Sequence, residues 1–333
     1  MKIYLAGDSI VQNYEKEEFI AGWGQFLPFF IKDGVEVVND AKGGRSSRLF
    51  INEGRFDNIE KNISAGDYLL IEFCHNDDAS KEYKTMFNRL TPLGEPDSDG
   101  RFPIIPGEAM PKDYIPPEYI DALRKDENVK DKQAVLDSVY KILESYPHDP
   151  YYPYSADGSK GTYLWFLKQF VDMAREKGAV PVFVTAPART VYDANGNIKD
   201  GAGLHGGNNF AYIRAMKQLG EEAKVPVIDL FAYSCGLYKQ IGKEKIHWIT
   251  SIKKGCNKGI WPDDFNSEMQ KKETVSEDTH FNKYGAMLIT QGLVKLIKES
   301  DSSQLDGLKG MLKNPDGIDI EKYVKKPLVF EEF

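Results

Sequence analysis

Short apolar segments that end in polar, turn-forming residues recur along this chain, and they constrain its fold more than any other feature. Each is too short and too continuously apolar for a helix, which favours a buried strand. These segments are residues 2–6, 35–39, 67–73, 180–184 and 225–230. Helical patterns lie between and after them, at 23–31, 163–177, 209–223 and 282–298. The alternation predicts an α/β fold, a three-layer α/β/α sandwich around a five-stranded parallel sheet.

Two long stretches interrupt the alternation, at about residues 80–160 and 234–275. The first is rich in proline and tyrosine, and a helix is predicted inside it near residues 132–144. Loops of this length usually form lids or binding loops, although a subunit contact or a packed surface loop is an equal alternative. Neither stretch shows a clear core of its own. We therefore expect one domain over residues 1–333, with both stretches as insertions.

Composition excludes several classes of function. The net charge is −8 and no basic block stands out, so a nucleic-acid partner is not expected. No segment has the length of a membrane span, and the N-terminal residues lack the pattern of a secretory signal, which predicts a cytoplasmic location without a membrane partner. The three cysteines are odd in number and widely spaced, so we expect free thiols and neither a disulfide framework nor a zinc site.

Ser9 is the strongest candidate for a catalytic nucleophile. The first strand runs into Gly7-Asp8-Ser9, which places the serine hydroxyl at the carboxyl edge of the sheet, where open α/β sheets bind ligands. A nucleophile there requires a general base and hydrogen-bond donors for an oxyanion. A helix N-cap accounts for this serine about equally well.

The remaining sequence offers partners for such a nucleophile. His280 is one of five histidines, and it lies beside carboxylates in a predicted turn before the last helix. A nearby carboxylate orients an imidazole base and stabilises its protonated form. Gly44 and Asn76 follow the second and third strands, where a backbone N–H and a side-chain amide suit an oxyanion. Taken singly, each of these residues is better explained by surface or turn chemistry.

In combination, Ser9, Gly44, Asn76 and His280 resemble the SGNH, or GDSL, hydrolase superfamily, and most closely its rhamnogalacturonan acetylesterase group. The similar segments are residues 6–9, 39–47, 66–68, 73–77, 278–281 and 285–286. The resemblance covers roughly residues 1–79, 160–233 and 274–299, and neither insertion has a counterpart in it. It implies the flavodoxin-like version of the predicted sandwich.

Two positions depart from the family pattern. Cys74 stands where the family turn has a glycine, which predicts a small shift of the Asn76 loop. The acid three residues before the histidine is Glu277 in place of aspartate, whereas Asp278 lies only two residues before it. By spacing we assign Glu277 as the orienting acid, with Asp278 as the alternative.

The resemblance implies a serine esterase that needs no metal or cofactor and removes O-acetyl groups from rhamnogalacturonan-type or related plant oligosaccharides. In this assignment the catalytic residues are Ser9, His280, Glu277, Gly44 and Asn76. The residues assigned to substrate binding are Asp8, Arg45 and His75. Arg45, Arg48 and Arg189 suit uronate carboxylates, although ordinary salt bridges explain them equally.

Other functions stay open at this point. One is another SGNH activity, such as xylan acetylesterase, thioesterase or lysophospholipase. Another is a non-catalytic sugar-binding protein on the same fold, and the altered Cys74 and Glu277 positions keep this alternative open. A flavodoxin-like nucleotide-binding domain is disfavoured by the complete serine, glycine, asparagine and histidine set. With no export signal, a short imported oligosaccharide is the expected substrate. The sequence leaves a homo-oligomer open.

Overall fold

A computed structural model describes residues 1–15, 20–78, 89–152, 157–199, 210–252 and 276–324. Its central sheet has five parallel strands in the spatial order β2-β1-β3-β4-β5. They are β1 (Lys2–Gly7), β2 (Glu36–Asn39), β3 (Tyr68–Glu72), β4 (Val180–Val184) and β5 (Val227–Ile228). The strand order reverses beside β1, so the crevice at the carboxyl ends of β1 and β3 is where this topology places a ligand.

Helices cover both faces of the sheet, which confirms the predicted α/β/α sandwich. In chain order they are α1 (Trp23–Phe26), α2 (Ser47–Asn52), α3 (Arg55–Asn62), α4 (Pro117–Lys125), α5 (Lys132–Ser145), α6 (Tyr163–Glu176), α7 (Ala211–Ala223), α8 (Leu230–Ile241), α9 (Lys283–Glu299) and α10 (Asp306–Met311). Helices α1, α8, α9 and α10 pack on one face, and α2, α3, α6 and α7 on the other. A second sheet, separate from the first, pairs β6 (Thr250–Ile252) with β7 (Ser276–Phe281) in antiparallel fashion.

Strand β1 shows why the sheet lies at the centre of two cores. Ile3 and Leu5 join the apolar cluster on one face, whereas Tyr4 and Ala6 join the cluster on the other. All four side chains are at most 1% exposed. Successive residues of a strand point to opposite faces, so a strand covered on both faces needs a continuous apolar run.

Several helix boundaries differ from the prediction. The helix expected over residues 23–31 is divided into the four-residue α1 and a 3₁₀ turn, Leu27–Phe30, at whose start Pro28 has no N–H to continue an α-helix. The last strand is shorter than expected because Asp229 caps α8, its side chain accepting a hydrogen bond from the N–H of Ala232. The stretch at residues 234–275, which was predicted to be irregular, therefore begins inside helix α8.

The first insertion contains a core, and the expectation that it has none is wrong. Helix α5 was predicted; α4, which begins at Pro117 in the position that proline favours, was not. The two helices enclose a separate apolar cluster, formed by Ile115, Tyr119, Leu123, Val139, Leu143 and Tyr146. Six buried side chains form it, with four partly buried ones packed against them, too few for the sequence pattern to stand out.

The segment after α9 belongs to the main fold. Leu305, Leu308, Leu312 and Ile320 are buried against the core on the α9 face. Within the parts of the chain that the structure describes, no helix combines the length and the apolarity needed to cross a membrane.

Candidate active site

Ser9 and His280 come together at the carboxyl edge of the sheet. Ser9 lies in the turn after β1, where the carbonyl of Asp8 accepts hydrogen bonds from the N–H groups of Val11 and Gln12. The Ser9 Oγ lies 2.8 Å from the His280 Nε2, although 271 residues separate the two in sequence. This is the contact by which a general base activates a serine nucleophile.

His280 lies in strand β7 and not in the turn that was predicted. The loop after β4 holds this strand, because Thr190 donates its N–H to the Asp278 carbonyl at 2.8 Å and the Arg189 Nε donates to the Thr279 Oγ1 at 2.6 Å. At its end, Ala21 donates its N–H to the Phe281 carbonyl at 2.9 Å. These contacts fix the backbone on both sides of the imidazole.

The two candidates for the orienting acid are Glu277 and Asp278. The side chain of Glu277 lies outside the described part of the structure, so its assignment stays a prediction. The carboxylate of Asp278 has other partners, the Arg189 guanidinium at 3.4 Å and the Thr279 hydroxyl at 3.0 Å. Arg189 therefore holds the strand that carries His280. Of the two roles considered for this arginine, its contacts match the ordinary salt bridge and not the binding of a uronate.

Asn76 and Asp8 form a buried pair beside the serine. The Asn76 Nδ2 donates to the Asp8 Oδ2 at 2.9 Å, and the Ile10 N–H donates to the Asp8 Oδ1 at 2.9 Å. Burial raises the pKa of Asp8 to about 6, against the lowering effects of the Ile10 N–H, the His280 charge and the Asn76 amide. Asp8 is 0% exposed, which speaks against its predicted contact with substrate. Its contacts instead orient the amide of Asn76.

The turn after β2 lies against Ser9 through two glycines. Gly44 has a φ of +81°, in the left-handed region that glycine tolerates best. A Cβ added to Gly43 would lie 3.3 Å from the Ser9 Cβ, so this backbone approaches the serine closely. Gln12 accepts the N–H of Gly43, and the Tyr14 hydroxyl donates to the Ser9 carbonyl at 3.0 Å. The sequence analysis missed Gln12 and Tyr14, because no spacing rule distinguishes them from other loop residues.

His75 and Arg45, which were predicted to bind substrate, both contact protein groups. The His75 Nε2 lies 3.0 Å from the Pro187 carbonyl, and this buried imidazole joins the loops after β3 and β4. The Arg45 guanidinium pairs with Glu53 at 2.8 Å and remains about one-third exposed. The geometry therefore gives His75 a positioning contact, whereas Arg45 keeps an accessible face.

Arg48 and the cysteines complete the set of residues singled out in the sequence. Arg48 is buried and donates to the Leu90 carbonyl, and burial lowers its pKa to about 10. Cys74 and Cys235 are free thiols, and Cys256 lies outside the described residues. Cys74 is packed in the core, where burial raises its pKa, and Asn76 still reaches Asp8 beside it.

Two further buried acids lie beneath this site, and the sequence analysis did not single them out. Asp77 accepts hydrogen bonds from the Ser47 N–H at 2.9 Å and its hydroxyl at 2.5 Å, while burial raises its pKa to about 7. Glu72 is 0% exposed, and among the described residues neither of its carboxyl oxygens has a hydrogen-bond partner. Burial, together with the charges of Asp8 and Asp77, raises the pKa of Glu72 well above its usual value. Burial without a hydrogen-bond partner favours the neutral form of a carboxyl group.

Within the described ranges, no cluster of three or more histidine, cysteine or acidic side chains is placed to hold a metal ion. The chemistry that this arrangement supports is that of a serine, an imidazole and amide donors. A serine paired with an imidazole beside such donors is the arrangement used for acyl transfer.

Comparison with known proteins identifies similar chains. No family model matches. A rhamnogalacturonan acetylesterase of Bacillus subtilis is 30% identical over 300 residues, which cover 90% of each chain. A probable rhamnogalacturonan acetylesterase of the same organism is 30% identical over 298 residues, 89% of this chain and 92% of its own. A rhamnogalacturonan acetylesterase of Emericella nidulans is 45% identical over 78 residues, 23% of this chain and 29% of its own.

A solved structure shows the same fold. The crystal structure of the protein YxiM of Bacillus subtilis superposes with a TM-score of 0.53 at 20% identity. The match covers 91% of this chain and 57% of that one, so the present chain spans little more than half of the YxiM chain.

Proposed function

Because this chain belongs to the rhamnogalacturonan acetylesterase family of SGNH hydrolases, and so to the carboxylic ester hydrolases, we propose that it removes O-acetyl groups from rhamnogalacturonan-type pectic oligosaccharides. The observation that carries the proposal is the 2.8 Å contact between the Ser9 Oγ and the His280 Nε2. The proposal takes its substrate class from the two relatives matched over about nine-tenths of this chain.

In the proposed reaction, Ser9 attacks the acetyl carbonyl carbon while the Nε2 of His280 accepts the hydroxyl proton. The tetrahedral intermediate collapses, the sugar oxygen leaves, and the imidazolium returns the proton to it. Water then attacks the acetyl-serine ester while His280 accepts one of its protons. The second tetrahedral intermediate expels the Ser9 oxygen, which takes that proton back from the imidazolium, and acetate is released. Each half of the reaction thus uses the imidazole once as base and once as acid.

The proposed oxyanion site is formed by the backbone N–H groups of Ser9 and Gly44 and by the amide of Asn76. Two features support it. Asp8 binds one hydrogen of the Asn76 Nδ2, which leaves the second hydrogen of that amide available to a substrate oxygen. The backbone at Gly43, directly before Gly44, approaches Ser9 so closely that an added Cβ would lie 3.3 Å from the Ser9 Cβ. Donors that are held in place before the reaction stabilise the developing charge without reorganisation.

Acetate release tests the substrate class. Purified protein is incubated with acetylated rhamnogalacturonan oligosaccharides and, separately, with acetylated xylo-oligosaccharides of similar length. We expect a higher kcat/KM on the rhamnogalacturonan substrate. A preference for the xylan substrate would replace the substrate class and keep the mechanism, whereas no release from either by folded protein would favour a sugar-binding protein.

The predicted cytoplasmic location stays a prediction.

A further inference from the structure

A cavity of about 620 Å³ lies next to the proposed oxyanion site. Gly44 forms part of its lining, and so does Arg89, whose NH1 group donates to the Asn76 Oδ1 at 3.0 Å. The cavity therefore adjoins two of the three groups proposed to hold the oxyanion. Its volume is within the range of about 300–1,000 Å³ that is typical of small-molecule sites.

The charged side chains around the cavity are mostly positive. Three guanidinium groups line it, those of Arg45, Arg55 and Arg89, against the single carboxylate of Glu53. Glu53 pairs with both Arg45 and Arg55, at 2.8 and 3.1 Å. Arg89 is exposed, and Arg45 and Arg55 are each about one-third exposed. An anion that enters this cavity would meet an excess of positive charge on groups that can donate two parallel hydrogen bonds.

The first insertion forms the opposite wall. Ile142 and Ser145 of α5, with Tyr146 directly after it, line the cavity. Two contacts fix this wall against the main fold. The Tyr151 N–H donates to the Asn52 Oδ1 at 2.9 Å, and the His148 Nε2 lies 2.6 Å from the Asp57 Oδ2. The wall adds apolar surface, which suits the carbon face of a sugar ring.

We propose that this cavity is a subsite for the carboxylate of a uronic acid unit in the acetylated substrate. The guanidinium groups of Arg55 and Arg89 bind the carboxylate, and Glu53 holds Arg45 and Arg55 in place. Because Arg89 also donates to Asn76, a carboxylate bound there lies beside the residue proposed to bind the oxyanion. The cavity then selects a substrate that carries an acidic sugar. This inference rests on the proposed function.

The test compares one substrate in two forms, an acetylated oligosaccharide with a free uronate carboxylate and the same compound as its methyl ester. The esterified form retains the sugar and the acetyl group but loses the negative charge. Acetate release is measured for the wild type, for Arg55→Gln and for the control Arg124→Gln. Arg124 lies on α4 of the same insertion, with its side chain 73% exposed and outside the cavity.

For the wild type we expect kcat/KM to be roughly ten to a hundred times higher on the free acid than on the methyl ester. This is the factor expected when the ester loses one charge-assisted hydrogen bond to the guanidinium groups. Arg55→Gln should lower this ratio several-fold, mainly through a higher KM on the free acid, while Arg89 retains part of the preference. Arg124→Gln should keep the wild-type ratio.

Equal kcat/KM values on the two substrates for the wild type would overturn the subsite, and so would an Arg55→Gln protein that keeps the wild-type ratio. Release of acetate without any preference for the free acid leaves the proposed function standing. No release from either form by the wild type means that the proposed function itself has failed. The wild-type comparison needs no variant, so a folding defect in Arg55→Gln does not obscure the result.

Discussion

Replacement of Asn76 by alanine tests the proposed oxyanion site most specifically, because the structure gives this side chain two separable effects. Its amide is proposed to donate to the oxyanion, and it also donates to the fully buried Asp8 at 2.9 Å. Loss of one oxyanion donor typically costs about 10²–10³ in kcat, or about 2.7–4 kcal/mol of transition-state stabilisation. We therefore expect Asn76→Ala to lower kcat by that factor while KM changes little.

The same substitution should also destabilise the fold. Asp8 loses the amide that lowers its pKa, so burial raises that pKa further above its present value of about 6. Loss of a partner to a buried polar group costs about 1–3 kcal/mol in the free energy of unfolding. We expect a loss in this range in urea unfolding at pH 7, with folding retained.

The assay is the initial rate of acetate release over a range of substrate concentrations, with urea unfolding measured on the same preparations. Asn128→Ala is the matched control, since Asn128 is an exposed asparagine in the first insertion whose N–H and side-chain amide donate to the nearby Asp126. Its kcat and unfolding free energy should equal those of the wild type. A loss of kcat smaller than tenfold in folded Asn76→Ala, or a loss confined to KM, would refute the oxyanion role of Asn76.

Three further substitutions test other parts of the account. Glu277→Gln should lower kcat by about 10²–10⁴. Asp278→Asn should lower it by less than tenfold, because Asp278 binds Arg189. The reverse order in acetate-release assays would assign the orienting role to Asp278. Gly44→Ala should cost about 1–2 kcal/mol in urea unfolding, because a side chain at a φ of +81° is strained, and it should lower kcat; an unchanged unfolding curve would contradict this. The folded state raises the pKa of Glu72, so the stability that protonated Glu72 contributes is complete below its unfolded pKa of about 4.3 and is lost as pH rises towards the folded-state pKa. The difference in unfolding free energy between Glu72→Gln and the wild type should therefore shift in favour of the variant as pH rises above about 4.3. A pH-independent difference would show that Glu72 does not titrate in this way.

The sequence predicts those parts of the fold that depend on local pattern. The apolar runs of β1 and β3 end in turn residues, and parallel strands bring such ends to one edge, so the meeting of Ser9 and Asn76 follows from periodicity alone. His280 was found as a residue but placed in a turn, since its strand pairs with Thr250–Ile252, in a stretch without periodic signal. Glu72 was not singled out, because a single acid within an apolar strand leaves the pattern intact.

The arginine-lined cavity was beyond sequence reasoning for a different reason. Arg45 was selected for its position near the active edge, yet Arg55 and Arg89 were not, because they meet only when the first insertion packs against α2 and α3. That packing depends on contacts such as Asn52 with Tyr151, which are 99 residues apart. Chain-distant polar pairs carry no periodicity from which they can be predicted.

The central claim is that Ser9, activated by His280, carries out ester hydrolysis. The most direct measurement is acetate release from an acetylated rhamnogalacturonan oligosaccharide by the wild type and by Ser9→Ala, with thermal unfolding of both proteins as the check on folding. The account predicts that Ser9→Ala melts close to the wild type and that its rate falls by at least about 10³-fold, as expected when a catalytic serine is removed. A folded Ser9→Ala protein that keeps a tenth or more of the wild-type rate would contradict it.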